Sequence, residues 1–103
     1  MKVAARKSSD SVLSETFRLL GTSQEVFRTR KSPSAMDAHA RAVVVGVTRE
    51  LLNLSFPEIQ RAVARKSGGH SSRVSDWRAW CALDWRERFG WLQMVDARTG
   101  RFA

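Results

Sequence analysis

Three groups of side chains in this sequence have the types and spacing to do chemistry, and in each of them that chemistry is the binding of anions. Arg28, Arg30 and Lys31 lie in R-T-R-K just ahead of Pro33, a stretch with turn chemistry and no apolar periodicity, and Arg41 follows a few residues later. Arg61, Arg65 and Lys66 precede the turn Ser67-Gly68-Gly69, where they can bracket phosphates. His70, Ser71, Ser72 and Arg73 come after that turn, at the start of a helical pattern, where hydroxyls, a guanidinium and free backbone N–H groups all donate to phosphate or to base edges. Each group also has a plainer reading: a solvated basic loop, an exposed charged helix face, or capping by Ser71 alone. Catalysis has no comparable candidates. His39 and His70 lack a carboxylate or a second His at ligand spacing, and Cys81 is the sole cysteine, so neither a disulfide nor a cysteine metal framework is available. No enzymatic activity, cofactor, metal or small-molecule substrate is expected.

The charge balance points the same way. Eighteen basic residues against ten acidic ones give a net charge of +8, and fourteen of the eighteen are Arg. A strong positive balance implies a polyanionic partner, and the planar guanidinium fork suits phosphate and guanine edges. At 103 residues the chain has the size of one domain. Four Trp and five Phe supply a core from few positions. No apolar run reaches the roughly 18 residues of a membrane span, and the first twenty residues lack the apolar centre of a signal peptide. The expectation is a cytoplasmic, nucleoid-associated protein with no membrane contact.

These cations have to be positioned by helices. Residues 1–9 read as a flexible basic start and 96–103 as a loose tail, with a single domain over 10–95. Asp10 and Ser11 offer N-caps for a helix to Leu20, with Val12, Leu13, Phe17 and Leu20 on one face and Gly21 ending it. A short helical turn covers Ser23 to Phe27. Val43-Val44-Val45-Gly46-Val47 taken alone has strand character, but the eighteen proline-free residues from Met36 to Asn53 and their spacing favour a buried helix. Ser55-Phe56-Pro57-Glu58 is a capping box with Pro in the first turn, so a helix starts there and buries Ile59, Ala62 and Val63. Val74, Trp77 and Cys81 mark another helix starting around His70 to Ser72 and running on to Phe89, with Gly90 breaking it before a short Trp91-Leu92-Met94-Val95 segment. Spacing puts Trp77, Trp80 and Trp85 in the core and leaves Trp91 to face a partner, and Cys81 is expected to pack inside.

Two helices joined by a glycine-containing turn over about residues 55–83 form the pattern of a helix-turn-helix. The segment from Ala40 to Ile59, A-R-A-V-V-V-G-V-T-R-E-L-L-N-L-S-F-P-E-I, resembles the C-terminal DNA-binding domain of the bacterial replication initiator DnaA. In that family a basic loop leads into a long helix ending in a basic residue and Glu-Leu, then an S-L-P-E-I-G helix, a turn, and a recognition helix opening with D-H-T-T-V. Here Arg28, Arg30 and Lys31 stand for the loop, Arg49-Glu50-Leu51 for the helix end and Ser55 to Ile59 for the capped helix. The resemblance spans roughly residues 12–82, and its specific part is about thirty residues long. It implies a small all-α, Trp-repressor-like domain that binds double-stranded DNA through its loop and recognition helix.

The departures carry information too. Gln60 replaces the family's Gly, and the turn is longer than the family's, so the family's cognate DNA box does not transfer. Reading His70-Ser71-Ser72 as the literal H-T-T sends Arg73 and Asp76 into the core. Aligning Val74 with the family's Val instead buries Trp77 and Cys81 and turns Arg73 to the groove, and the cost of burying charge favours this second register. No G-x-x-x-x-G-K-[ST] is present, so the initiator's nucleotide-hydrolysing module is not part of this sequence. Domains of this kind are also appended to transposases of the tyrosine-dependent, single-strand-cutting type, but there is no Tyr and no His-x-His here. The expected function is sequence-specific duplex binding without ATPase activity, associated with replication, transposition or regulation. The alternative is an interaction module of the same shape that binds an acidic protein, alone or in a larger assembly.

Overall fold

The computed structural model describes residues 9–28, 34–63 and 71–99. These form a small all-α domain of five helices: α1 (Ser9–Leu20), α2 (Ala35–Leu52), α3 (Phe56–Val63), α4 (Ser71–Cys81) and α5 (Trp85–Arg98), with a 3-10 turn at Gln24–Phe27. Among the described residues there is no strand.

α2 is the axis of the fold, and every other element packs against it. Residues 42–48 of this helix are all buried. Val44 and Val45 join Leu13, Phe17, Val26, Phe27, Ile59 and Val63 in one cluster. Ala42, Val43 and Val47 join Val12, Trp80 and Val95 in a second. A helix enclosed on all sides has no polar face, which is why the valine run shows strand-like composition in a helical segment. The β-branched residues cost a few tenths of a kcal/mol each in helix propensity, and complete burial of each side chain, at about 1.5–3 kcal/mol, outweighs that.

The helix ends follow local chemistry. Gly21 takes the left-handed conformation (φ 68°), and the Thr22 and Gly21 N–H groups bond to the Phe17 and Arg18 carbonyls at 3.0 and 3.1 Å, closing a Schellman motif. Ser34 caps α2 through the Asp37 N–H, and Asn53 ends it in the left-handed region (φ 55°). The capping box is present: Ser55 N–H donates to Glu58 Oε1 at 2.9 Å and Glu58 N–H to Ser55 Oγ at 3.3 Å.

The C-terminal third departs from the sequence expectation. α4 ends at Cys81, not Phe89, and Asp84 starts a new helix by accepting the Arg86 N–H at 2.8 Å. α5 then passes straight through Gly90 and continues to Arg98, so residues 96–98 are helical. An interior glycine costs only about 0.5–1 kcal/mol relative to Ala, and the burial of Val95 with Trp91 and Leu92 beside it exceeds that. A Cβ added at Gly90 meets nothing within 4 Å. Gly90→Ala should therefore stabilise the protein by about 0.5–1 kcal/mol, read as a higher urea midpoint; an unchanged or lower midpoint would mean that α5 is not helical through this position.

Candidate nucleic-acid interface

α3 and α4 pack against each other and both lean on α2. Arg49, in the last turn of α2, stacks its guanidinium over the Phe56 ring at 4.2 Å and the Trp77 ring at 5.2 Å, and donates to the Leu54 carbonyl at 2.8 Å. One cation thus joins the end of α2 to the starts of α3 and the middle of α4. Trp80 is fully buried, with Nε1 donating to Glu50 Oε2 at 2.6 Å.

The N-terminal turn of α4 is held by a buried charge cluster. Arg73 is only 4% exposed; its guanidinium lies 4.7 Å over the Phe27 ring and its Nε is 3.1 Å from Asp76 Oδ2. This contact is an ion pair whose alignment falls short of a hydrogen bond. Arg41 of α2 contributes its positive charge to the same cluster and donates from Nε to the Val26 carbonyl. Burial depresses the Arg73 pKa despite the Asp76 carboxylate, and burial raises that of Asp76 despite the two guanidinium groups.

The expected register is therefore corrected: Arg73 is inside and does not face a groove, while Val74 is only partly buried. The preference for Val74 treated Arg73 and Asp76 as separate charges, each too costly to bury. The fold buries them three residues apart as a pair, against an aromatic face supplied by the 3-10 turn. The same rotation exposes Cys81, which the other register placed in the core. Among the tryptophans, Trp85 is 60% exposed and Trp91 partly buried, the reverse of the expectation.

The anion-binding candidates separate accordingly. Arg28 is exposed at the end of the 3-10 turn and paired with Glu25 at 3.1 Å. Arg41 and Arg73 come together, but inward. Ser71 opens α4 and Ser72 is exposed. Arg30, Lys31, Arg65, Lys66 and His70 lie outside the described residues. The outward side of α4 carries Ser72, Ser75 and Ala79, spaced by three and four, with exposed Arg78 beside them, and Arg61 is exposed on α3. Ser75 and Arg78 are not among the sequence candidates for DNA contact; counting in turns from Ser72 in the correct register finds both.

Near the start of α2, Glu87 of α5 accepts from His39 Nε2 at 2.6 Å and from Trp91 Nε1 at 3.2 Å. These hydrogen bonds, that of His39 foremost, hold the Glu87 pKa below the usual carboxylate range. A depressed carboxylate pKa contributes stability above the unfolded value, near 4.3, and loses it as the pH falls through the folded value. Glu87→Gln should thus melt below the wild type at neutral pH and converge with it in acid, once the pH has fallen through the lowered Glu87 pKa. A gap in melting temperature that persists in acid would exclude this pair as its source.

Among the described residues no group of three or more His, Cys, Asp or Glu side chains is placed to hold a metal ion, and no helix is long and apolar enough to cross a membrane. Comparison with family models, curated proteins and solved structures finds no match to this chain.

Proposed function

We propose that this protein binds double-stranded DNA without ATPase activity, with α3 and α4 acting as a helix-turn-helix and the outward side of α4 entering the major groove. The observation that carries the reading is that outward side: Ser72, Ser75 and Ala79 are small enough for close approach to base edges, and Arg78 beside them is a long donor. The net charge of +8 and the DnaA-like order of loop, long helix, capped helix and following helix support it. In this reading Arg28, Arg30 and Lys31 approach the backbone from the loop, Arg61, Arg65 and Lys66 flank the phosphates, and His70, Ser71 and Ser72 lie at the mouth of the groove. Arg73 and Arg41 hold α4 in place and touch no DNA. Sequence specificity and a role in replication, transposition or regulation extend the same proposal.

The test is a fluorescence-anisotropy titration of duplex DNA over a range of salt. Five to seven phosphate contacts release condensed counterions and give a log–log slope of about −4 to −6. Selection from random duplexes reports specificity, and Arg78→Ala should weaken the selected site by about 1–3 kcal/mol, as for one good base contact. No duplex binding at about 50 mM salt, where the electrostatic term is strong, would transfer the surface to the second reading, a module for an acidic protein partner.

A further inference from the structure

The buried charges at the start of α4 work against stability, and the fold keeps them. Arg73 Nε and Asp76 Oδ2 are buried without a hydrogen-bond partner, and burial moves both groups toward their neutral forms. Apolar side chains of similar volume in the same two places would be as stable or more so. What the pair can supply instead is direction. The apolar residues of α4 do not mark one side of the helix: Trp80 is fully buried, Val74 and Trp77 are partly buried, and Cys81 is exposed. The spacing of Val74, Trp77 and Cys81 would serve a neighbouring rotation of the helix as well. Trp80 anchors one end of α4 through Glu50, but a helix held at one end can pivot about it. Arg73 lies seven residues earlier, about 10 Å along the axis.

At that second point the contacts are directional, and two other elements supply them. Phe27 of the 3-10 turn presents its ring face to the Arg73 guanidinium at 4.7 Å, and Asp76 Oδ2 lies 3.1 Å from Arg73 Nε. Arg41 of α2, tied through its Nε to the Val26 carbonyl, adds its charge to both. Turning α4 by one residue swings Arg73 through about 100° and parts it from the ring, whereas an apolar side chain would find new contacts after the same turn. We propose that Arg73, Asp76, Arg41 and Phe27 form a register lock, a set of positioning residues that fixes which side of α4 faces outward and, through that side, how well the protein discriminates between duplex sequences. The last step rests on the duplex reading of α4, because the four residues act through Ser72, Ser75 and Arg78.

The test is the double variant Arg73→Met with Asp76→Leu in the full chain. It removes one charge of each sign, so the net charge stays at +8 and the sequence-independent attraction to phosphate is unchanged. Together with Val74, Trp77, Trp80 and Cys81, the two substituted positions complete an apolar side of about 160°, wider than the stripe of about 100° that faces a core. α4 can then settle at more than one rotation. The urea midpoint should equal or exceed that of the wild type. Labelling of Cys81, the sole cysteine and exposed in the locked register, by dithiobis(nitrobenzoate) should slow as α4 turns it inward part of the time. The ratio of affinities for the selected duplex and a scrambled duplex of equal length should fall by about 5- to 150-fold, the loss of one good base contact, with the scrambled duplex bound as before. A midpoint well below the wild type, or failure to fold, overturns the proposal, because the pair would then be a net stabiliser. Unchanged labelling of Cys81 overturns it too, since the register would hold without the charges. So does full discrimination beside slowed labelling. If neither protein binds any duplex, the duplex reading and the last step fall together, while Cys81 still decides whether the register is locked.

Discussion

Arg73→Ala should unfold at a much lower temperature than the wild type, whereas Val74→Asp should fold. Removing the Arg73 side chain leaves Asp76 largely buried without its ion-pair partner, though still in the field of Arg41, and strips the guanidinium from the Phe27 ring. Loss of one partner from a buried pair costs about 3–5 kcal/mol, and each kcal/mol lowers the melting temperature of a domain this size by about 4–8 °C. Val74 is partly exposed in the first turn of α4, where a carboxylate gains from the free N–H groups of the helix. Replacing both members of the pair, as in Arg73→Met with Asp76→Leu, should come close to wild-type stability or exceed it. The pKa directions argue this independently, because burial moves both groups toward their neutral forms and so outweighs their attraction. Thermal melts of the three variants decide the matter. A stable Arg73→Ala beside an unfolded Val74→Asp would mean that Val74 is the buried position, and the outward side of α4 would shift by one residue.

The sequence is most legible where structure is local. The Ser55–Glu58 capping box and the helix end at Gly21 each depend on a few consecutive residues, and the apolar spacing of α1 and α3 reports a single buried side. Trouble begins where a residue's environment comes from elsewhere in the chain. Nothing near Arg73 announces that Phe27, forty-six positions earlier, supplies an aromatic face for it, or that Arg41 adds its charge from α2. Tryptophan at helical spacing suggests core, and this holds for Trp80. Trp85 breaks the pattern because Asp84 starts a new helix, with a phase that α4 does not continue. Gly90 suggests a break by composition alone, but in α5 the packing of its neighbours outweighs the modest cost of an interior glycine. The candidate site was thus partly readable: its helix and Ser72 could be named, but its outward side could not, because that side is set by which charges the core accepts.

Gly46→Ala should be strongly destabilising although it adds a single methyl group. By helix propensity alone it would stabilise α2 by about 1 kcal/mol, as Gly90→Ala is expected to do in α5. A Cβ built at Gly46, however, lies 1.9 Å from Cδ2, 2.1 Å from Cγ and 2.4 Å from Cε2 of Trp80. These are atoms of the ring's inner edge, not the free end of a flexible chain, and the ring is fully buried with its N–H fixed to Glu50. It can yield only by leaving its pocket, which breaks that hydrogen bond and lifts α4 from α2. Overpacking costs about 1–3 kcal/mol when neighbours can adjust, and here the loss should reach or pass the upper end. Trp80→Leu alone should destabilise by several kcal/mol, on the order of other large-to-small core changes. Because the extra methyl and the missing ring volume occupy the same space, Gly46→Ala should cost far less on the Trp80→Leu background than in the wild type, a coupling that a double-mutant cycle in urea measures directly. Equal costs on the two backgrounds, or a wild-type midpoint for Gly46→Ala, would refute the close approach of the α4 tryptophan to the α2 backbone. That approach also sets the rotation of α4. A leucine variant that still folds therefore tests the link from core to surface, since its duplex affinity should fall more than its stability explains if Ser72, Ser75 and Arg78 must be held at one angle to act.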